Sequence, residues 1–161
     1  YLIDAGHSTT IYNGECVKIS SGYVVGGNGS AANIVGVLNG IFFNAATTLK
    51  PTFSNFYKAT ITPANSEDTT AFVMDDPYQQ YVVSSDAART QAQHLATYDM
   101  NSSAGSDITG KSSSTLDTSE TSADGKQFRL LRTAEDPENE DITAAFFSGI
   151  VVSNLNSFNQ V

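Results

Sequence analysis

Residues 70–85 read TAFVMDDPYQQYVVSS, two β-rich runs separated by a pair of acids and a proline. The reading of Asp75-Asp76-Pro77 decides much of the fold. Adjacent residues of a strand point to opposite faces, so two neighbouring carboxylates do not converge on one substrate atom. Pro77 cannot donate to a sheet ladder and pushes Asp76 toward extended backbone. Asp and Pro between β runs are turn chemistry. The segment therefore reads as strand, corner, strand rather than as an acidic catalytic centre.

The same punctuation recurs along the chain. Asn13-Gly14 within STTIYNGECVKIS is a strong hairpin signal between two β-prone runs. GYVVGG follows, then NIVGVLNGIFFN, then FYKATIT (56–62), TAFVMD (70–75), YQQYVVS (78–84), KQFRLLRT (126–133) and ITAAFFSGIVVSN (142–154). Turn residues space these runs as in a sandwich or barrel. Only DAARTQAQHLA (86–96) has helical composition, with Asp86 placed to cap it. These signals predict an all-β fold, a single β-barrel or jelly-roll-like sandwich with one short helix. Residues 101–125, NSSAGSDITGKSSSTLDTSETSADG, lack apolar periodicity and read as a long polar loop within it. No composition break argues for a second domain, so 1–161 is read as a single β domain.

Composition narrows the function. Of 161 residues 40% are hydrophobic and 16% charged, which is globular rather than disordered. The formal net charge of −9, with eight scattered basic residues, cannot build the positive stripe that a phosphate backbone needs, so no nucleic-acid partner is expected. No run approaches the roughly 18 apolar residues of a membrane-spanning helix. YLIDAGHSTT at the start has neither the basic segment nor the apolar core of a signal peptide, and export stays open. Cys16 is the only cysteine, so no disulfide can form within the chain and a cysteine metal cage is excluded. That usage suits assembly inside a cell better than a small secreted scaffold.

Several stretches imitate functional motifs. Gly27-Asn28-Gly29-Ser30-Ala31-Ala32 fits the G-x-G-x-x-A dinucleotide pattern, but β-branched, glycine-broken sequence follows where a helix is required. Asp99-Met-Asn101-Ser-Ser103-Ala-Gly105-Ser-Asp107 spaces oxygen ligands as a calcium loop does. Ala104 stands where the sharp turn wants Gly, and Gly110 where a bidentate Glu belongs. A cation at 99–107 stays open. EDPENED (135–141) holds five acids in seven residues and reads as a solvated loop that deters edge pairing. His7, in an end expected to fray, and His94, on the expected helix, belong to no HExxH or cysteine grouping. No G-x-S-x-G elbow or P-loop occurs. The Asn-x-Ser sequons at Asn28 and Asn101 matter only in a eukaryotic secretory route. The expectation is a non-enzyme, with no catalytic, cofactor-binding or metal residue to assign.

The order of segments carries a resemblance. Its elements are Gly36-Val37 with Gly40 and Phe42, the Ala71–Val83 segment around Asp75-Asp76-Pro77, Gly110-x-Ser112 with Leu116, Arg129 to Pro137 with Asn139, and a last strand ending in Asn. In this order the chain resembles the head decoration, or cement, proteins of tailed bacteriophages, particularly those of marine phages. The resemblance implies a β-barrel or jelly-roll-like module on the outer capsid surface of the virion. It would bind the major capsid protein, commonly as a homo-oligomer (trimer) at three-fold positions, and stabilise the shell. The polar 101–125 stretch and the glycine-rich 22–40 region would then be ordered by the capsid. The alternative is a β-sandwich carbohydrate- or receptor-binding module of an adhesin-like protein, with Tyr78, Tyr81 and Tyr98 as the sugar platform.

Overall fold

The computed structural model describes residues 1–29, 33–101, 105–119 and 125–158. The fold is all-β. Among the described residues ten strands form two antiparallel sheets, and helical structure is limited to short 3₁₀ turns at Ala64–Ser66 and Gln91–Gln93. The chain divides into two compact units, each assembled from three separated segments. One comprises Tyr1–Gly27, Val35–Asp75 and Ala104–Ser113, and the other Asn28–Ile34, Asp76–Ser103 and Ser114–Val161. Interleaving of this kind leaves no composition break, and the 1–161 span read as one domain holds both units.

The first unit carries β1 (Leu2–Ile3), β2 (Cys16–Ser20), β3 (Tyr23–Gly26), β4 (Gly36–Asn44), β5 (Pro51–Ser54) and β6 (Thr69–Met74). Their order is β1-β6-β4-β2-β3, with β5 also paired to β4. The sheet curls until β1 comes alongside β3, yet no ladder joins them. Ile3, Ile11, Val17, Val24, Leu38, Ile41, Tyr57 and Ala71 fill its concave side. Strand β6 shows why: Thr69 and Ala71 are buried while Phe72 and Met74 are exposed, the period-two alternation of a half-buried strand. The second unit carries β7 (Gln80–Ser84), β8 (Thr97–Tyr98), β9 (Phe128–Thr133) and β10 (Ser148–Ser153) in the order β7-β10-β9-β8. Tyr98, Leu116, Phe128, Leu130, Phe147 and Val151 are buried in it. Neither sheet closes into a barrel.

Local expectations fared unevenly. Asn13-Gly14 does turn, with Glu15 N donating to Tyr12 O at 3.1 Å and Gly14 at φ 82°. It does not close a hairpin, because Ile11 bridges Tyr57 and Asn13 bridges Lys111. Positive φ at only the second central residue is a type II turn, whose twist splays strands. The tight hairpin is β2–β3, closed by Ser21-Gly22 with both φ values positive, 51° and 89°, the primed geometry that matches strand twist.

The helix expected at 86–96 is absent apart from the turn Gln91–Gln93. Asp86 caps nothing there: its Oδ1 accepts from the Thr118 N–H at 2.9 Å and from the Thr118 hydroxyl, and its Oδ2 from Asn101 at 3.1 Å. Arg89 N donates to Ile142 O and Leu95 N to Leu130 O, so tertiary partners take the donors a helix would have used. FYKATIT forms no strand beyond the Tyr57 bridge, and β5 lies before it at Pro51–Ser54. In ITAAFFSGIVVSN the strand starts only at Ser148, after a turn closed by Ala144 N on Asp141 O and a positive φ of 63° at Phe146.

Candidate functional site

The acidic corner binds its own chain. Asp75 Oδ2 accepts a hydrogen bond from the Tyr1 hydroxyl at 2.7 Å, and Asp76 Oδ1 accepts one from Tyr78 N at 2.8 Å. The second contact is an Asx turn leading into β7. Partial burial and the Asp75 carboxylate push the Tyr1 phenol up to about 12. The two carboxylates thus serve different partners, and the chain passes from one unit to the other between them.

The other motifs resolve in the same way. Gly27 N donates to Cys16 O and Gly29 N to Met100 O, while Ser30, Ala31 and Ala32 lie outside the described residues. Asp99 holds Lys126 Nζ at 2.9 Å and Gln127 N at 3.2 Å in the second unit. Asp107, in the first, accepts from Tyr12 at 2.8 Å and pairs with Lys58 at 3.1 Å. Each end of the calcium-like stretch is committed to a protein partner, Ser102–Ala104 lie outside the described residues, and no cluster of three metal-ligating side chains occurs among the described ones. EDPENED caps its own turns: Asp136 receives Glu138 N, and Asp141 receives the Thr143 N–H and hydroxyl, which hold the Asp141 carboxyl below its usual range.

His7 is not a frayed end. Its carbonyl accepts from the Tyr57 hydroxyl at 2.8 Å, its ring lies 5.5 Å from that of Tyr57, and burial lowers its pKa. His94 turns its Nδ1 to Gln91 O. Tyr78, Tyr81 and Tyr98 do not share an exposed platform, since Tyr98 is buried and Tyr81 packs edge-on against Phe128.

Glu15 is a carboxylate largely removed from water. Its Oε2 accepts from Tyr12 N at 2.9 Å, closing the Asn13-Gly14 turn, while burial raises its pKa above the ordinary 4.5. A carboxyl with a raised folded pKa binds its proton more readily folded than unfolded, so stability is lost as pH rises above the ordinary carboxylate range. Glu15→Gln keeps an acceptor for Tyr12 N and removes the buried charge. Thermal melts from pH 4 to 8 are expected to show the variant gaining on the wild type as pH rises. Parallel curves would show that the Glu15 charge is not desolvated.

One surface feature escaped the sequence reading. On the convex side of the first unit's sheet, Phe53 of β5 pairs across from Phe42 of β4, and Phe72 of β6 lies opposite Gly40. Phe42 and Phe53 have ring centroids 4.9 Å apart, and Phe53 stacks on Phe72 at 6.2 Å. Phe53 is 71% and Phe72 44% exposed, and Leu2 and Met74 extend the apolar surface along β1 and β6. The signal lay in register: Phe42 and Phe72 each directly follow a buried residue, Ile41 and Ala71, yet single-strand patterns do not show that three rings from three strands coincide. Comparison with protein-family models, curated proteins and solved structures finds no match to this chain.

Proposed function

We propose that this chain is a viral structural protein, a decoration or cement protein that binds the outer surface of a tailed-phage head and stabilises the shell. The observation that supports binding as its mode of action is the Phe42–Phe53–Phe72 face, on which Phe53 and Phe72 are exposed. Aromatic rings held out of a core lose apolar burial and are repaid when a partner covers them. The identity of the partner, the major capsid protein, comes from the resemblance set out above. The net charge of −9 agrees with a site on the outside of a shell, away from packaged DNA. In this reading a homo-oligomer, a trimer at three-fold positions, makes several weak contacts at once, and multivalency makes the array strong.

The test is reconstitution. Shells stripped of small surface proteins, taken from the source lysate, are mixed with purified chain and sedimented. Wild-type chain is expected to travel with the shells at a fixed ratio to the coat protein, and Phe53→Ser/Phe72→Ser to remain at the top while still folded by circular dichroism. Wild-type chain that never co-sediments overturns the reading.

A further inference from the structure

The outer edge of β7 is an undefended strand. Among the described residues strand β7 pairs with β10 on one side and with no strand on the other. Ser85 N donates to Phe147 O, which places Ser85, Val83 and Tyr81 in the hydrogen-bonded pairs with β10. By alternation the backbone groups of Gln80, Val82 and Ser84 point away from the sheet. At the far end the edge is already occupied: Leu116 N donates to Ser84 O, and Asp86 N donates to Leu116 O. At the near end the chain turns at Pro77-Tyr78. Between these stops, Val82 offers an N–H and a C=O that meet no partner among the described residues, and its side chain is 69% exposed. The Gln80 carbonyl is covered only by the exposed amide of its neighbour Gln79, at 2.8 Å.

Natural edges are protected by lysines, prolines or bulges. From Pro77 to Ser85 the chain carries no charged residue, its proline stands before the strand, and the register shift of this sheet lies between β10 and β9 rather than in β7. Outward backbone donors and acceptors in alternation fit one kind of occupant, an extended strand. We propose that this occupant is β7 of a second copy of the chain, paired antiparallel across a two-fold axis at Tyr81. Gln80 of each copy then faces Val82 of the other, and each such pair exchanges both N–H···O=C bonds. The window itself favours a second copy over a foreign strand: Gln80 and Val82, one on each side of Tyr81, both turn their backbone groups outward, so the edge is complementary to itself. Each copy carries −9, so two copies repel, but from Pro77 to Ser85 the edge is uncharged and sets no like charges opposite one another within that window. A partner selected for an acidic chain would instead look for carboxylates, which the edge lacks. The stops at Leu116 and Pro77 keep the window short, and a two-fold contact uses it up, so pairing closes at the dimer rather than running on as a fibre. The inference stands apart from the capsid reading, and such a contact would also link neighbouring trimers.

The test is analytical ultracentrifugation over a range of concentrations, with amide hydrogen exchange on the same samples. The wild type is expected to dimerise, with slowing of exchange at the Val82 amide as concentration rises. Val82→Lys brings a charge to each side of the axis, and Val82→Pro removes an N–H that the fold itself does not use. Each is expected to weaken association about tenfold or more. A chain that stays monomeric, an oligomer untouched by Val82→Lys, or a Val82 amide that exchanges equally fast at every concentration overturns the proposal. So does binding of this edge to coat protein alone.

Discussion

Gly36→Ala is expected to destabilise the protein by about 3 kcal/mol or more, a large fraction of a typical folding free energy of roughly 5–15 kcal/mol. A Cβ at this position would lie 2.0 Å from the Met74 carbonyl oxygen, 2.8 Å from its carbon and 2.9 Å from Val73 Cγ1. The obstruction is backbone, so no rotamer change relieves it. Gly36 also cannot retreat, because it pairs with Val17 of β2 while the next residue, Val37, pairs with Cys16 of β2 and Met74 of β6. The strand is held from both sides at the point where one methyl group must fit. Denaturant titration should show a lower midpoint, and circular dichroism at the highest temperatures should show early loss of strand signal. Gly22→Ala supplies the contrast. Nothing lies within 4 Å of a Cβ there, and only the positive φ of 89° is strained, which costs about 1–2 kcal/mol. Equal costs at the two sites would mean that the close approach of β4 and β6 at Gly36 is not what demands glycine.

The all-β class was legible because strand periodicity is local: six residues of β6 alternate, and GYVVGG and KQFRLLRT announce β3 and β9 from their own composition. What pairs with what was not. TAFVMDDPYQQYVVSS reads as strand, corner, strand, and so it is, but β6 and β7 enter different sheets. A corner residue reports that the chain turns and says nothing of where the next strand finds its partner. The helix at 86–96 failed for a related reason. Its propensity was real but weak, and the backbone donors of Arg89 and Leu95 gain more from carbonyls of Ile142 and Leu130, far along the chain. The aromatic face shows the limit most plainly: Phe42, Phe53 and Phe72 become neighbours only through the registers of β4 with β5 and β6.

The polar stretch 101–125 looks uniform in sequence and is not so in the fold. Two large aliphatic residues stand in it, and they have opposite fates: Ile108 is 96% exposed, whereas Leu116 is wholly buried. Around Ile108 the chain is pinned by polar contacts, with Asp107 held by Tyr12 and Lys58, and Asn55 donating to Thr109 O at 2.8 Å. Around Leu116 the backbone acts as a strand without belonging to one. It bridges Ser85 in parallel and Met100 in antiparallel fashion, while Asn101 N donates to Thr115 O and Asp117 N to Asp99 O. The buried side chain and these bonds depend on each other, because an unpaired backbone here would be removed from water without compensation. Leu116→Ala is therefore expected to cost about 3 kcal/mol, the transfer term plus the cavity it leaves. The loss should also raise the rate of proteolytic cleavage near 116, since the segment has no other apolar anchor between 110 and 119. Ile108→Ser should leave the melting temperature unchanged. If Leu116→Ala melts like the wild type and resists protease, the hydrogen bonds alone hold the segment. If instead the loss is as large as expected, a stretch that reads as solvent-exposed loop is a working part of the second unit's core.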